Sequence, residues 1–373
     1  MSGAAQADTL HLLADVASDF AKPDPARVRA LRDAGGRLDR EMWAQIAANG
    51  WIGIAVPEHA GGAGLGLEAV AIVARRLGYA GFPEPYVAAA VLAPQLLAAS
   101  ARPAAVELLE RTLAGEALCA VAWQGPNGGL GPEATAVSLE SGRLRGEARF
   151  LGLADADSYL VAAREGDGLS FHLVPADADG LSAVDEQRAD GTADVRINLA
   201  GVSPEECILD AGEGAAALAG SVDAARVAVS AELVGLLERA LEMTLEFMRQ
   251  RQQFGRPIGS QQALQHRAVD AWIQAQLAAA ALDAAIAVFE DGGAAASRRA
   301  AAASSAKSRA SQAATGICNE ALQMHGAIGF TDEYDLGLYV NRALALSPWL
   351  GGAGEHRRRY ADLVDIAGEG RAS

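Results

Sequence analysis

Cysteine is scarce in this 373-residue chain: Cys119, Cys207 and Cys318 stand singly, with no Cys-x-x-Cys pair and no histidine at metal-ligand spacing. That argues against a disulfide framework and against a structural zinc or other metal site, and it fits a reducing, cytoplasmic compartment. Basic residues are in deficit as well, 31 Lys and Arg against 47 Asp and Glu, for a formal net charge of −16. Nucleic acid and anionic membranes are bound by Lys and Arg neutralising phosphate, so neither is an expected partner. The N-terminal stretch MSGAAQADTLHLLADVASDF has early acidic residues and no long apolar run, which argues for a helix start rather than a signal peptide or a membrane span. What is abundant is core material. With 51% hydrophobic and 21% charged residues, the chain can fill one large unit or two to three packed domains.

Three textures follow one another. From Thr9 to about Ser100 apolar residues recur at three- and four-residue steps, as in LHLLADVASDF and LEAVAIVARRLGYAG, which is the helical period. GIAVPEHAGGAGLG, Gly53 to Gly66, breaks it as a loop, through Pro57 and its clustered glycines. From about Leu118 to Leu209 short apolar runs (LCAVAWQ, TAVSLESG, SYLVAAR, LSFHLVPA, ADVRINL) alternate with turn signals, which predicts an antiparallel sheet folded as a sandwich or barrel. From about Ser221 the helical period returns, with the stripe Leu233, Leu236, Leu237, Ala240, Leu241, Leu245 and Met248 and then two long Ala-rich helices. The expected organisation is α+β: helical domain 1–116, β domain 117–212, and a four-helix bundle within 213–373. The bundle's broad small-residue faces exceed what one subunit needs, so an oligomer is expected.

Two segments carry candidate chemistry. In RQRQQFGRPIGSQQALQHRAVD, Arg251 ends a helix, FGRPIGS turns, and a new helix starts near Ser260. A guanidinium there can fork onto a phosphate, and Phe254 can lie against a flat heterocycle. The same residues also read as a helix C-cap followed by a proline turn. In LQMHGAIGFTDEYDLGLYVNR a glycine turn interrupts a helix and Asp332 and Glu333 follow. Backbone amides freed at such a turn can approach a nucleotide, while His325 by itself reads more readily as a packing residue than as a base.

In this order, and after a β segment, the motifs resemble the acyl-CoA dehydrogenase family over nearly the whole chain. RQQFGRPIGSQQ is similar to that family's Arg-x-x-Phe-Gly-x-x-Ile-x-x-x-Gln and QMHGAIGFTDEY to its Gln-x-x-Gly-Gly-x-Gly-Phe/Tyr-x-x-Glu, with Ala327 at the second glycine. The resemblance implies a three-part fold, noncovalent FAD held across a subunit interface, and α,β-dehydrogenation of an acyl-CoA thioester. It also implies an electron-transfer flavoprotein or similar acceptor. It places Arg251, Phe254, Gln262, Gln323, Gly326, Thr331 and Glu333 on FAD. Family members usually carry flavin-binding hydroxyls near AVAWQGPNGGLGPEA and in a Trp/Phe-Ile/Val-Thr/Ser strand. Here no Thr or Ser lies between Ala120 and Leu130, and Phe150-Leu151-Gly152 keeps only the aromatic.

The reaction needs a base for the α-proton, and an apolar pocket suits a glutamate to that task. In the family it stands ahead of a Gly-Thr pair in the C-terminal loop, which falls here on Leu350 or Gly351. The family's other position, just before a helix Arg, falls on Ala225, with Arg226 as that pocket arginine. Neither position has a carboxylate. Asp223 and Glu355 lie a few residues off, and Glu232 further along the helix, each reading more readily as a solvated surface acid. Two functions therefore stand side by side: a dehydrogenase with a displaced base, or a non-catalytic partner subunit that completes FAD sites in a hetero-oligomer. The latter occurs in family branches that act on bulky, steroid-type acyl-CoA side chains.

Overall fold

Alanine determines how the helices of this protein pack. The computed structural model describes residues 3–369, with side chains from Gln6 to Val364. In chain order its helices are α1 (Gly3–Phe20), α2 (Pro25–Asp33), α3 (Arg40–Ala48), α4 (Gly66–Ala80), α5 (Ala93–Ala98) and α6 (Pro103–Leu113), then, after a sheet, α7 (Gly214–Gln250), α8 (Gln262–Glu290), α9 (Ala296–His325), α10 (Leu336–Leu346) and α11 (Ala353–Glu369). The chain divides into two compact units: one holds residues up to Ala30, Ala71–Pro83 and everything from Arg226 onward, the other Leu31–Val70 and Glu84–Ala225.

In the first unit α9 is the central helix and packs on α8, α10 and α11. α8 turns Ala268, Ala271, Ala275, Ala278, Leu282 and Ala285 inward at alternating three- and four-residue steps, and α9 answers with Ala303, Ala306, Ala310, Ala313 and Ala314. Small side chains let the two axes approach closely along their whole length. The apolar stripe of α7 is buried from Leu233 to Leu241 and again at Met248, with Leu245 partly covered. Where α4 crosses α7 the backbones themselves touch: a Cβ at Gly78 would lie 2.0 Å from the Glu232 carbonyl oxygen, and one at Gly235 1.8 Å from that of Arg75. Ion pairing of Arg75 with Glu238 flanks the crossing.

α8 is apolar on a second side too. Val269, Trp272, Ile273 and Leu277 stand exposed, and by length and composition alone α8 could cross a membrane. Its other face is the buried seam with α9, so the exposed stripe is one side of a bundle helix.

The second unit carries strands β1 (Cys119–Ala122), β2 (Ser138–Glu140), β3 (Arg143–Ala148), β4 (Ser158–Glu165), β5 (Gly168–Pro175), β6 (Leu181–Gln187), β7 (Ala193–Val202) and β8 (Glu206–Leu209) in one sheet of order β6-β7-β3-β2-β4-β5-β8, with β1 also on β4. β4 and β5 form a two-residue hairpin over Gly166 and Asp167, in full register from Ser158↔Pro175 to Glu165↔Gly168. The sheet is antiparallel in most of its pairs, as expected, with two parallel exceptions. β1 runs parallel to β4 from Cys119↔Ser158 to Ala122↔Val161, and β2 touches β4 in parallel at Ser138↔Arg164. Neither pair is joined by a short link, which would make the neighbours antiparallel: β1 reaches β4 over a long connection, and β2 turns tightly into β3 and meets β4 only after it.

Candidate functional site

Between α7 and α8 the chain makes a hairpin that the sequence pattern did not foretell. β9 (Gln252–Gln253) pairs with β10 (Arg256–Pro257), and the two residues between them, Phe254 at φ 55 and Gly255 at φ 77, both take left-handed backbone. A type I′ turn requires that geometry; glycine adopts it freely and phenylalanine does so at a cost of roughly 1–2 kcal/mol. The Phe254 ring is 90% exposed, so no packing within the described chain offsets the strain. Strain at an exposed aromatic marks a contact surface.

The second motif meets the first at one end of the bundle. Met248 of α7, Ile258 after the hairpin, Ala268 of α8 and Met324 of α9 form one buried cluster, with Phe247 and Leu264 against it. α9 stops at His325, and Gly326 turns the chain at φ 66 into a short 3-10 turn, Gly326–Phe330. His325 is buried, stacks on Phe247 at 4.3 Å, donates from Nδ1 to the Ala321 carbonyl and accepts at Nε2 from the Tyr334 hydroxyl at 3.1 Å. Burial holds its pKa below the usual imidazole value, and both ring nitrogens are engaged. It is the packing residue the sequence suggested. Around this cluster Arg251, Phe254, Gln262, Gln323, Gly326, Thr331 and Glu333 all stay exposed. The seven candidates thus stand open in the segments around the α7–α8 hairpin and the end of α9, and the Thr331 hydroxyl donates to the Ile328 carbonyl at 2.8 Å. A guanidinium, two amides and open backbone turns suit a phosphate-bearing, hydrogen-bonding ligand.

In the sheet unit, considered by itself, six buried polar atoms have no hydrogen-bond partner among the described residues: Trp43 Nε1, Ser158 Oγ, His172 Nδ1, Arg188 Nε and, in and just after the stretch that follows β1, Gln124 Oε1 and Thr135 Oγ1. Buried polar groups are ordinarily satisfied, so the last two fit a hydrogen-bonding ligand edge. Thr135 lies just beyond the stretch searched for a hydroxyl, in the turn that returns to pair Gly125 N–H with the Ala134 carbonyl at 2.8 Å. Phe150 sits at φ 63, and its neighbour Gly152 donates to Asp194 Oδ1.

The expected base positions are closed. Leu350 is 2% exposed at φ 57, Gly351 is buried at φ 108, and Ala225 is fully buried. Arg226, 1% exposed, donates from Nε to the Leu350 carbonyl at 3.1 Å. Of the off-position acids, Glu355 is a solvated residue in the first turn of α11 whose Oε2 accepts the Gly352 N–H at 2.7 Å. Glu232 is no surface acid: it is buried, and its Oε1 accepts from Arg342 Nη2 at 2.6 Å and Nε at 3.1 Å. Asp223 is buried as well, contrary to the surface reading.

Sequence reasoning missed Lys307 and His356, both 0% exposed. Lys307 Nζ sits 2.8 Å from the Ser347 carbonyl, 2.9 Å from that of Gly351, 3.0 Å from Ser311 Oγ and 3.4 Å from the Leu346 carbonyl. Burial first, then the Arg226 charge, draws its pKa down to about 7, with Glu355 opposing. His356 donates from Nε2 to the Leu350 carbonyl at 2.9 Å, and burial followed by the Arg226 and Lys307 charges pushes its pKa down to about 3, so its ring is neutral at working pH. A signal was present in the sequence: Lys307 falls on the same buried face as Ala303, Ala306 and Ala310, where a lysine has no solvent to reach.

Comparison with known proteins agrees with this architecture. The family profile "Acyl-CoA dehydrogenase, N-terminal domain" matches residues 7–116 and "Acyl-CoA dehydrogenase, C-terminal domain" residues 212–362. Among curated proteins, acyl-CoA dehydrogenase IpdE2 of Mycobacterium tuberculosis is 32% identical over 94% of this chain and 95% of its own length. Acyl-CoA dehydrogenase FadE27 of the same organism is 31% identical over 91% and 92%. Among solved structures, a variant of the Tcur3481–Tcur3483 steroid ACAD superposes with a TM-score of 0.86 at 29% identity, covering 99% of this chain and 100% of that one. The ChsE4–ChsE5 complex from Mycobacterium tuberculosis gives 0.83 at 25% identity, with 98% of both chains covered.

Proposed function

This chain belongs to the acyl-CoA dehydrogenase family, and from that premise we propose that it takes part in FAD-dependent α,β-dehydrogenation of an acyl-CoA thioester as the subunit that completes FAD sites while a related subunit supplies the base. The observation that carries the subunit role is the replacement of both base positions by buried apolar residues, Leu350 and Ala225. In this reading FAD supplies the hydride acceptor when bound. Arg251 forks onto its pyrophosphate, Gln262, Gln323 and Glu333 orient it by hydrogen bonds, and Gly326 and Thr331 bring backbone and hydroxyl close. Phe254 would cover a flat ring. The exposed α8 stripe and the strained Phe254 support an oligomer in which these surfaces are covered. The two-component make-up of two similar structures, the Tcur3481–Tcur3483 steroid ACAD and the ChsE4–ChsE5 complex, favours a related chain as the other subunit. Electrons leave to an external acceptor of the electron-transferring flavoprotein kind. The three-part division at 116/117 and 212/213 is part of the same proposal.

Arg251→Ala is expected to lower the flavin-to-protein ratio of the purified protein strongly, and Arg251→Lys not to restore it, because a point charge cannot replace a paired donor. Protein as yellow as the parent removes Arg251 from the cofactor site.

A second reading has one specific observation behind it: Asp223 is a buried carboxylate one turn of α7 before Arg226. The test assays the purified, flavin-loaded chain alone against acyl-CoAs of rising bulk, steroid-type included, with an artificial electron acceptor. Negligible turnover alone, restored by a base-bearing related subunit, supports the partner role. Robust turnover abolished by Asp223→Asn makes Asp223 a displaced base and overturns it.

A further inference from the structure

Four carbonyl oxygens between Leu346 and Gly351 accept hydrogen bonds from buried basic side chains on three different helices. Lys307 of α9 serves Ser347, Gly351 and, at longer range, Leu346, while Arg226 of α7 and His356 of α11 both serve Leu350. Leu346 and Ser347 end α10, and a lysine on such carbonyls is ordinary helix capping. Leu350 and Gly351 lie beyond the helix, where capping gives no reason for three cationic or ring donors. Between them the backbone is left-handed at a leucine, a conformation held only where the surroundings over-determine it.

We infer that Lys307, Arg226 and His356 are positioning residues for position 350: they fix the backbone of Ser347–Gly351 so that the side chain at 350 projects from one preset left-handed geometry. The assignment to position 350 rests on the dehydrogenase reading above, whereas the clamp on the backbone does not. The chain keeps a frame built to aim a side chain and carries a leucine in it. The geometry is consistent in its protons. Lys307 offers three N–H groups to its nearest three oxygens, Ser311 Oγ among them. The Leu350 carbonyl can only accept, so His356 carries its proton on Nε2, and Nδ1 faces Ser304 Oγ at 3.3 Å. Ser304 Oγ in turn accepts from Arg359 Nη1 at 2.9 Å. The charged and titratable groups about Lys307 are therefore Arg226 from α7 and Glu355, His356 and, through Ser304, Arg359 from α11.

Hydrogen exchange on the flavin-loaded full chain tests the clamp without reference to turnover. Lys307→Met, and separately His356→Gln in case the first fails to fold, is expected to speed exchange in peptides covering 347–352 about ten-fold or more, the range set by an unsatisfied buried partner. The centre of α8 should keep its protection. Unchanged exchange over 347–352 in a folded variant overturns the inference. A second readout separates aiming from mere stability. In a Leu350→Glu background, removing the neighbouring cation with Lys307→Met raises the new carboxyl's pKa, so the acid limb of the pH–rate profile moves to higher pH. If Leu350→Glu shows no turnover, the assignment of position 350 to a base in this chain has failed, while the cofactor-completing role is untouched. Difference infrared titration of the same carboxyl then reads the Lys307 effect directly. Identical titration with and without Lys307 overturns the positioning role.

Discussion

Leu350→Glu is expected to raise acyl-CoA turnover by the isolated, flavin-loaded chain about 100-fold or more, because a positioned general base typically contributes 10²–10⁴-fold. That range corresponds to roughly 3–5 kcal/mol of activation barrier, more than polarisation of the thioester alone restores. Position 350 is favoured over 351 for the insertion on backbone grounds. Leu350 already carries a side chain at φ 57, while Gly351 sits at φ 108, where L side chains are strained. Leucine and glutamate are close in length, and the Lys307 and Arg226 side chains on the neighbouring carbonyls favour the ionised, proton-accepting carboxylate. Steady-state rates for Leu350→Glu, and for Ala225→Glu at the family's other position, decide the matter. Were neither to raise the rate, the pocket would not admit a thioester, and this chain's contribution would be confined to assembly and cofactor binding.

Arg342→Met is expected to cost about 3–5 kcal/mol of stability, the effect of leaving a buried partner charge uncompensated. Glu232 and Arg342 join α7 to α10 with both side chains about 5% exposed or less, so the survivor is shielded from bulk solvent. Exposed pairs such as Arg298 with Asp291 should by contrast change little when broken. Pairing Arg342→Met with Glu232→Leu should recover most of the loss, since it removes both desolvated charges together. Calorimetric melting of parent, single and double variants measures this. A single variant that melts with the parent would show that the Glu232 charge finds another partner.

Much of the architecture was legible because it rests on local regularities. The stripe from Leu233 to Met248 marks a helix by period alone, and it is buried as that period requires. SYLVAAR and LSFHLVPA mark β4 and β5 because both strands are buried almost throughout. β6 escaped notice because Leu181–Gln187 is mostly exposed and has no apolar alternation; it is a strand through pairing with β7, a relation no local pattern carries. β3, RLRGEA, is hidden likewise, with only Leu144 and Ala148 fully buried. The parallel placement of β1 on β4 depends on where a long connection returns.

At the site, the sequence alone determined that no carboxylate stands at Leu350, Gly351 or Ala225, the positions to which the family resemblance points, since residue identity is all that statement needs. Only the tertiary structure decided that Glu232 is held by Arg342 and Glu355 by a backbone amide, that Asp223 is buried, and that Lys307, Arg226 and His356 converge on the carbonyls around Leu350. The Glu232–Arg342 and Arg226–Leu350 contacts join residues more than a hundred positions apart, and Lys307 reaches Ser347 across forty. Hydrogen bonding and desolvation act over a few ångströms of space, and distance along the chain does not encode them.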